Sequence, residues 1–365
     1  SEADVPPEEL PFWDVEQDLQ SLGEFMQTWL SKQQRWLSPI FIAGESYGGF
    51  RVARLTNLLQ RQFGIGLCGA ILISPVLEFS LVRGNDYDLM HWATLIPTFA
   101  AAAAYHGKAR YTATAEAQLD SPLTVEQNRL AAEQFCQRTL LPVLAGGCAI
   151  PTAERQAVYQ QLADLIGLPP ALVEQHQGRI SPSRFARELL RQEQKIVGLY
   201  DAALTAIDPF PDRPLYEGSE PTLDSSQHLF TAAINQHLCS TLGVETDLTY
   251  RLLDFDVNRN WQFQSQAQKS TWRQGYVGAV DELRVGMTLN PALKIYLCHG
   301  YFDLVTTYAA SSYLVNLMQL APEIRDNLTV QNFNGGHMFY SWDQSRLEWF
   351  QAMQRFYERA IAADG

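Results

Sequence analysis

The sequence predicts an α/β protein with a mostly parallel sheet and a helical insertion. Short buried apolar runs alternate with amphipathic helices in the first and last parts of the chain, which is the pattern of a parallel sheet. The long middle part has helical character instead. The 365 residues, 46% of them apolar and 18% charged, are enough for one large globular domain carrying an insertion.

The first part, 1–81, alternates helix and strand. An amphipathic helix is predicted over 14–36, with Asp14 placed to cap its start. Three elements of alternating type follow: a buried strand at 40–43, a helix that ends near Gly64, and a second buried strand at 70–73.

Between 82 and 249 this alternation is replaced by Ala-rich and Gln-rich helical stretches separated by Pro-containing loops. We therefore expect a helical cap inserted into the sheet domain. The sheet domain resumes over 250–365, where three elements are predicted: buried strands at 293–298 and 328–333 and, between them, a helix at 308–320.

Charge and cysteine usage exclude several classes of function. The net charge of -13 argues against nucleic-acid binding, which needs a basic surface. No apolar run is long enough to cross a membrane. The cysteines show no zinc-binding spacing, so neither a metal nor a cofactor is expected, and only Cys136 and Cys148 are close enough to suggest a local disulfide. The five are Cys68, Cys136, Cys148, Cys239 and Cys298.

The segment Gly44-Glu45-Ser46-Tyr47-Gly48 fits the G-x-S-x-G pattern and lies between a predicted strand and a predicted helix. This is the placement of the nucleophile elbow in an α/β-hydrolase. The pattern predicts Ser46 as nucleophile, with the N–H groups that follow it facing a developing oxyanion. A tight turn without catalytic function is the alternative.

A nucleophilic serine needs a base and an orienting carboxylate, and in this fold the chain order is serine, acid, histidine. Asp303 follows the strand 293–298, and His337 follows the strand 328–333. Both are predicted at carboxyl ends of parallel strands, beside the elbow. The alternatives are a helix cap for Asp303, a surface position for His337, and His299 as a rival base.

Together these motifs resemble the serine carboxypeptidase family, and the similarity looks closest to bacterial members. The resemblance implies an α/β-hydrolase that removes C-terminal residues from peptides through an acyl-enzyme on Ser46. It rests on GESYGG at 44–49, HGYFDLVT at 299–306 and GGHM at 335–338, with further likeness in Ser74-Pro75-Val76-Leu77, Val257-Asn258-Arg259-Asn260-Trp261 and Asn290-Pro291.

The resemblance also implies roles for three further residues. The Tyr47 N–H would be an oxyanion donor, and Met338 would line the leaving-group pocket. Glu45, as a protonated acid paired with an asparagine from an upstream loop, would bind the free C-terminal carboxylate of the peptide substrate, so activity would favour acidic pH. The family favours a periplasmic or secreted location. An acyltransferase or esterase on the same scaffold, or a non-catalytic protein that binds peptides or a partner, are the alternatives.

The sequence departs from the family pattern at two places. After His337-Met338 the family usually continues Val-Pro, whereas this chain has Phe339-Tyr340. The family's Asn-Gly-Gly-Pro-Gly loop, which supplies the second oxyanion donor, does not occur in these residues. Only four core strands are predicted, whereas the resembled fold has an N-terminal half of the sheet ahead of the helix that starts at Asp14. We therefore expect that this half comes from a missing N-terminal segment or a second chain, or that the chain is a degenerate fragment.

Overall fold

The computed structural model describes residues 12–110, 123–213, 216–263 and 277–362. At its centre is a four-stranded parallel sheet in the spatial order β1-β2-β5-β6, which confirms the predicted α/β class. Each strand overlaps its predicted range, with ends displaced by at most two residues. The strands are β1 (Phe41–Glu45), β2 (Gly69–Ile73), β5 (Lys294–Gly300) and β6 (Leu328–Phe333).

Helices flank the sheet and form most of the insertion. None of the helices in the described ranges has the length and apolar character needed to cross a membrane. They are α1 (Val15–Gln33), α2 (Tyr47–Gln62), α3 (Leu89–Tyr105), α4 (Val125–Phe135), α5 (Leu141–Gly146), α6 (Thr152–Ile166), α7 (Pro170–Gln175), α8 (Pro182–Glu188), α9 (Asp224–Gln236), α10 (Phe255–Asn260), α11 (Val280–Leu289), α12 (Tyr308–Leu317), α13 (Pro322–Arg325) and α14 (Asp343–Ala362).

The first predicted helix is confirmed together with its cap. Asp14 Oδ1 accepts hydrogen bonds from the N–H groups of Glu16 and Gln17, both at 2.9 Å. Such a cap satisfies backbone donors that a helix start leaves unpaired. Farther along α1, Asp18 forms two hydrogen bonds with Arg51 of α2, at 2.6 and 2.9 Å, and so ties the two helices together.

The two faces of the sheet pack against different helices because successive strand side chains point to opposite sides. In β2, Leu72 belongs to the core that includes side chains of α1, α2 and α11. Its neighbour Ile71 belongs to a second core with Phe356 of α14. The sheet is therefore covered on both faces, as parallel sheets usually are.

The inserted part has its own apolar core, which also contains two residues of the loop after β5. Helix α3 is buried along most of its length, and its Phe99 stacks on Phe185 of α8 with ring centroids 4.1 Å apart. Phe302 and Leu304 are members of the same core. The insertion thus packs directly on the loop that carries Asp303, while the boundaries at 81/82 and 249/250 stay predictions.

Two features of the insertion differ from the sequence-based expectation. A small antiparallel pair, β3 (Lys195–Val197) and β4 (Thr205–Ile207), was not predicted, because three-residue strands are too short to show a period. Cys136 and Cys148 both lie in the described ranges, and no disulfide joins them. The suggested Cys136–Cys148 disulfide is therefore wrong: Cys136 is buried in the core of the insertion, whereas Cys148 is exposed.

Candidate active site

The register of the sheet brings the predicted site loops to one edge. Glu45, the last residue of β1, lies opposite Ile73 of β2, and Ile73 lies opposite Cys298 of β5. Gly300, at the end of β5, lies opposite Phe333 of β6. The loops that leave these strands therefore start close together, as expected at the carboxyl ends of parallel strands.

Ser46 lies at a sharp turn between β1 and α2. Its backbone has φ 59° and ψ -119°, a conformation that is rare for a residue with a side chain and is typical of strained functional positions. Its N–H donates to Ile73 O at 2.9 Å, and its carbonyl oxygen accepts from the N–H groups of Gly49 and Val76. The turn is thus fixed on both sides, and Ser46 lines a cavity of about 360 Å³.

Close packing explains two glycines of the elbow. A Cβ on Gly44 would overlap the carbonyl oxygen of Gly48, and a Cβ on Gly49 would overlap Pro75. A Cβ on Gly48 would meet nothing within 4 Å. The tight turn therefore requires glycine at 44 and 49, whereas packing does not account for Gly48.

The N–H of Tyr47 is available as a hydrogen-bond donor. It opens the first turn of α2 and has no acceptor among the residues described. The N-terminus of a helix carries partial positive charge, which favours an anion there. The Tyr47 side chain is held by Phe50, whose ring stacks at 5.3 Å, and by Trp261, which packs edge-on at 5.5 Å.

Asp303 and His337 form a buried hydrogen-bonded pair. His337 Nδ1 lies 2.7 Å from Asp303 Oδ2, and since a carboxylate only accepts, the ring N–H is the donor. Asp303 Oδ1 accepts from the N–H groups of Val305 and Thr306, at 2.8 and 3.0 Å. Asp303 therefore caps a turn rather than a helix, and the cap of α12 is Thr307.

Burial and charge act in opposite directions on His337. Burial alone would lower the pKa of His337, but the charge of Asp303 and the hydrogen bond to it raise this pKa, and Glu45 adds to the effect. The net result is a pKa above the ordinary value. A histidine with a raised pKa is a better proton acceptor, and it becomes neutral only at a higher pH than an ordinary histidine.

His299, the rival base, has a different environment. Its Nδ1–H donates to Thr306 O at 3.1 Å, and its Nε2 lies 2.8 Å from the Ser311 hydroxyl, which donates to it. Burial lowers the pKa of His299 to about 4, so the ring stays neutral near pH 7. Both ring nitrogens are occupied within the protein, so His299 supports the Asp303 loop and is not placed as a base.

A chain of hydrogen bonds connects the base loop to the elbow side of the sheet. Ser74 Oγ donates to His337 O at 2.7 Å, and Thr306 Oγ1 lies 2.9 Å from Ser74 O and 2.7 Å from Asp303 Oδ2. Thr306 also lines the same cavity as Ser46. No hydrogen bond joins Ser46 Oγ to His337 in the described part of the chain; in free enzymes such bonds are often long and tighten on substrate binding.

The other two predicted site residues, Glu45 and Met338, are the sequence neighbours of the proposed nucleophile and base. Glu45 precedes Ser46, and its Oε2 accepts a hydrogen bond of 2.7 Å from the Tyr340 hydroxyl. Met338 is half-buried next to His337, and it is not among the described residues that line the Ser46 cavity. The tyrosine partner of Glu45 was not predicted from the sequence.

A segment of the insertion that was not predicted from the sequence holds both the acid and the base loops. Leu304 N–H donates to Leu199 O, and Ala202 N–H donates to Phe302 O, each at 2.9 Å. His337 N–H donates to Tyr200 O at 2.5 Å. We call residues 198–203 the holding segment.

Asp201, in the holding segment, anchors the residues after His337. The Asp201 carboxylate is buried, and it accepts from Trp342 Nε1 at 2.9 Å and from Ala203 N–H at 3.0 Å. A Cβ on Gly336 would overlap Tyr200 O, which explains a glycine directly before the base. A lone aspartate after an apolar run was the only sequence signal for this contact.

We expect Asp201→Asn to slow a reaction that depends on His337 while the protein stays folded. The side-chain NH2 group of asparagine would face one of the two N–H groups that donate to the Asp201 carboxylate. That hydrogen bond would be lost, and the loop that carries His337 would shift. A displacement of about 1 Å can cost about 100-fold in rate. The measurement is the rate at which a fluorophosphonate labels Ser46. Asp212→Asn, at an exposed position of the insertion, is the control and should label at the wild-type rate.

The cavity beside Ser46 is mainly apolar, and a few charged residues also line it. Such a lining suits an organic ligand whose orientation is set by a few polar contacts. The apolar part includes Val76, Phe79, Val82, Trp261, Phe263 and Val305; the charged part comprises Arg51, Arg83 and Asp254.

No protein-family model matches the chain. The chain is similar to Serine carboxypeptidase-like 13 of Arabidopsis thaliana, with 31% identity over 81 residues. The matched segment is 22% of this chain and 19% of the relative, so the chain spans about a fifth of that protein's length. This partial match supports a relationship to serine carboxypeptidase-like proteins. The resemblance to bacterial members stays a prediction.

Proposed function

We propose that the protein is a serine hydrolase of the carboxypeptidase type, with Ser46 as nucleophile, His337 as general base and Asp303 as the orienting acid. The observation that carries the proposal is the buried hydrogen bond between His337 Nδ1 and Asp303 Oδ2 at the sheet edge where Ser46 forms the elbow. An acid that fixes the tautomer of a histidine beside a strained serine is the arrangement that activates a hydroxyl for acyl transfer.

In the proposed reaction His337 Nε2 takes the proton of Ser46 Oγ as this oxygen attacks the carbonyl carbon of the substrate. The Tyr47 N–H donates to the oxyanion that forms. His337 then gives its proton to the leaving amine, and the amide C–N bond breaks to leave an ester on Ser46. A water molecule, deprotonated by His337, hydrolyses this ester and restores the serine.

The substrate class in the proposal is a peptide with a free C-terminal carboxylate. Glu45 supports it, because a carboxylate next to the nucleophile is a poor choice for a general esterase: its negative charge disfavours an oxyanion nearby. A protonated Glu45 can instead donate a hydrogen bond to the carboxylate of the substrate. Glu45 is half-buried at the end of β1, next to the nucleophile.

The test compares N-blocked dipeptides with the corresponding peptide amides as substrates of the full-length protein. We expect the free acids to be cleaved best at a more acidic pH than an ester, whose cleavage depends on neutral His337 alone, and the amides to be cleaved poorly at every pH. Glu45→Gln should keep the free-acid activity and extend it toward neutral pH, because an amide can still donate. Equal losses for acids and amides in Glu45→Gln would contradict carboxylate recognition and leave a serine hydrolase of another specificity.

A further inference from the structure

Tyr340 lies in the segment where this chain departs from the resembled family, and it contacts Glu45 directly. Its hydroxyl donates to Glu45 Oε2 at 2.7 Å, across 295 positions of sequence. Both side chains are half-buried. The contact therefore links the residue before the nucleophile to the turn that follows the base.

The Tyr340 hydroxyl is held in place by its surroundings. The ring packs between Phe339 and Trp349, with centroid distances of 5.7 Å to each. Phe339 itself stacks on Phe333 of β6 at 4.7 Å, and the turn is closed by a hydrogen bond from Ser341 N–H to Met338 O at 2.8 Å. A tyrosine has only two side-chain torsions, so this packing fixes the direction in which its hydroxyl donates.

The hydrogen bond engages one of the two carboxyl oxygens of Glu45. Oε2 accepts from Tyr340, whereas Oε1 has no hydrogen-bond donor within the ranges that the structure describes. Burial raises the pKa of Tyr340, and the bond and charge of Glu45 raise it further, so the hydroxyl remains a donor at all pH values of interest. Glu45 is thus held through one oxygen with the other open.

Resting on the proposed function, we propose that Tyr340 is a positioning residue for substrate recognition. It fixes Glu45 through Oε2 so that Oε1 can share a proton with the C-terminal carboxylate of a peptide. Without the hydroxyl, the three torsions of the Glu45 side chain are no longer restrained. Ordering such a side chain on binding costs about 0.5–1.5 kcal/mol, which corresponds to about a tenfold loss of affinity at its upper end.

Binding is measured by titration calorimetry in full-length protein carrying Ser46→Ala, so that no turnover is needed. The ligands are an N-blocked dipeptide at acidic pH and its C-terminal amide. We expect Tyr340→Phe to raise the dissociation constant of the free acid about tenfold and that of the amide by less than about twofold. Tyr357→Phe, on the outer part of α14, is the matched control and should change neither.

A second arm separates positioning from simple packing. In protein that already carries Glu45→Gln, Tyr340→Phe should weaken free-acid binding by less than about twofold. The reason is that the effects of two substitutions on binding do not add when one residue acts through the other. Full additivity, or equal losses for acid and amide, would overturn the role of Tyr340. Failure of wild-type protein to hydrolyse any peptide would overturn the proposed function, yet an acid-specific loss in Tyr340→Phe would still support Tyr340 as the positioning residue.

Discussion

Ser46→Ala and His337→Ala should each lower kcat for hydrolysis of a free-acid dipeptide by about 10⁴- to 10⁶-fold. Either change removes the step in which the hydroxyl becomes a nucleophile, and the two residues act as a unit. The double variant should therefore be no slower than the slower single variant. KM should change little, because the cavity beside Ser46 keeps its apolar lining.

The measurement is steady-state hydrolysis, with fluorophosphonate labelling as a second readout. Label on Ser46 should be absent in Ser46→Ala and should nearly vanish in His337→Ala. Exposed positions provide matched controls: Ser240→Ala and His228→Ala should retain wild-type rates. Residual hydrolysis above about 1% of wild type in Ser46→Ala would point to a nucleophile other than Ser46, since a lost serine nucleophile costs about 10⁶-fold.

The strands of this site and the motif residues that follow them could be predicted, because the sequence patterns that indicate them are local. Each strand of the sheet is a short apolar run that ends at a turn, and the motif residues follow directly after such runs. The carboxyl ends of parallel strands meet at one edge, so placing Ser46, Asp303 and His337 after three strands also places them near one another. The structure adds the hydrogen bond between Asp303 and His337, which spacing alone could not give.

The contacts that hold the site were not predictable, because they connect residues far apart in sequence and leave no periodic pattern. Tyr200 O reaches His337 N–H from the insertion, and the hydroxyl of Tyr340 reaches Glu45 across the sheet edge. Asp303 lies in a motif already identified, and aspartate is common in turns in which a side-chain oxygen accepts from backbone N–H groups two or three positions later. That signal could have assigned Asp303 to a turn cap from the sequence.

Asp303→Asn should lower kcat about 10⁴-fold and also change the pH dependence of the remaining activity. An amide at this position can present N–H to His337 Nδ1 and so favour the wrong ring tautomer. It also removes the negative charge that raises the pKa of His337, while the opposing effect of burial stays. The pKa of His337 therefore falls in the variant.

The direction of the pH effect follows from the state in which His337 works. The base must be neutral, so wild-type activity on an ester substrate should rise with pH through a midpoint above the ordinary histidine value of about 6.5. In Asp303→Asn the plateau is lower and the midpoint moves to lower pH. Because the folded-state pKa is raised in the wild type, His337 contributes stability that is fully present below about pH 6.5 and is lost as pH rises through the folded-state pKa.

Thr306→Val tests the hydrogen bond from Thr306 to Asp303 separately from the charge of Asp303. It removes a hydroxyl that lies 2.7 Å from Asp303 Oδ2 and keeps the shape of the side chain, so the hydrogen bond from His337 to Asp303 is kept. We expect a loss in kcat of about tenfold or more, since a hydrogen bond to a charged group contributes about 1.5–3 kcal/mol, with the midpoint of the pH profile unchanged. The measurement is the pH–rate profile of the wild type, Asp303→Asn and Thr306→Val on one ester substrate. A midpoint that stays in place in Asp303→Asn would mean that a group other than His337 governs the reaction.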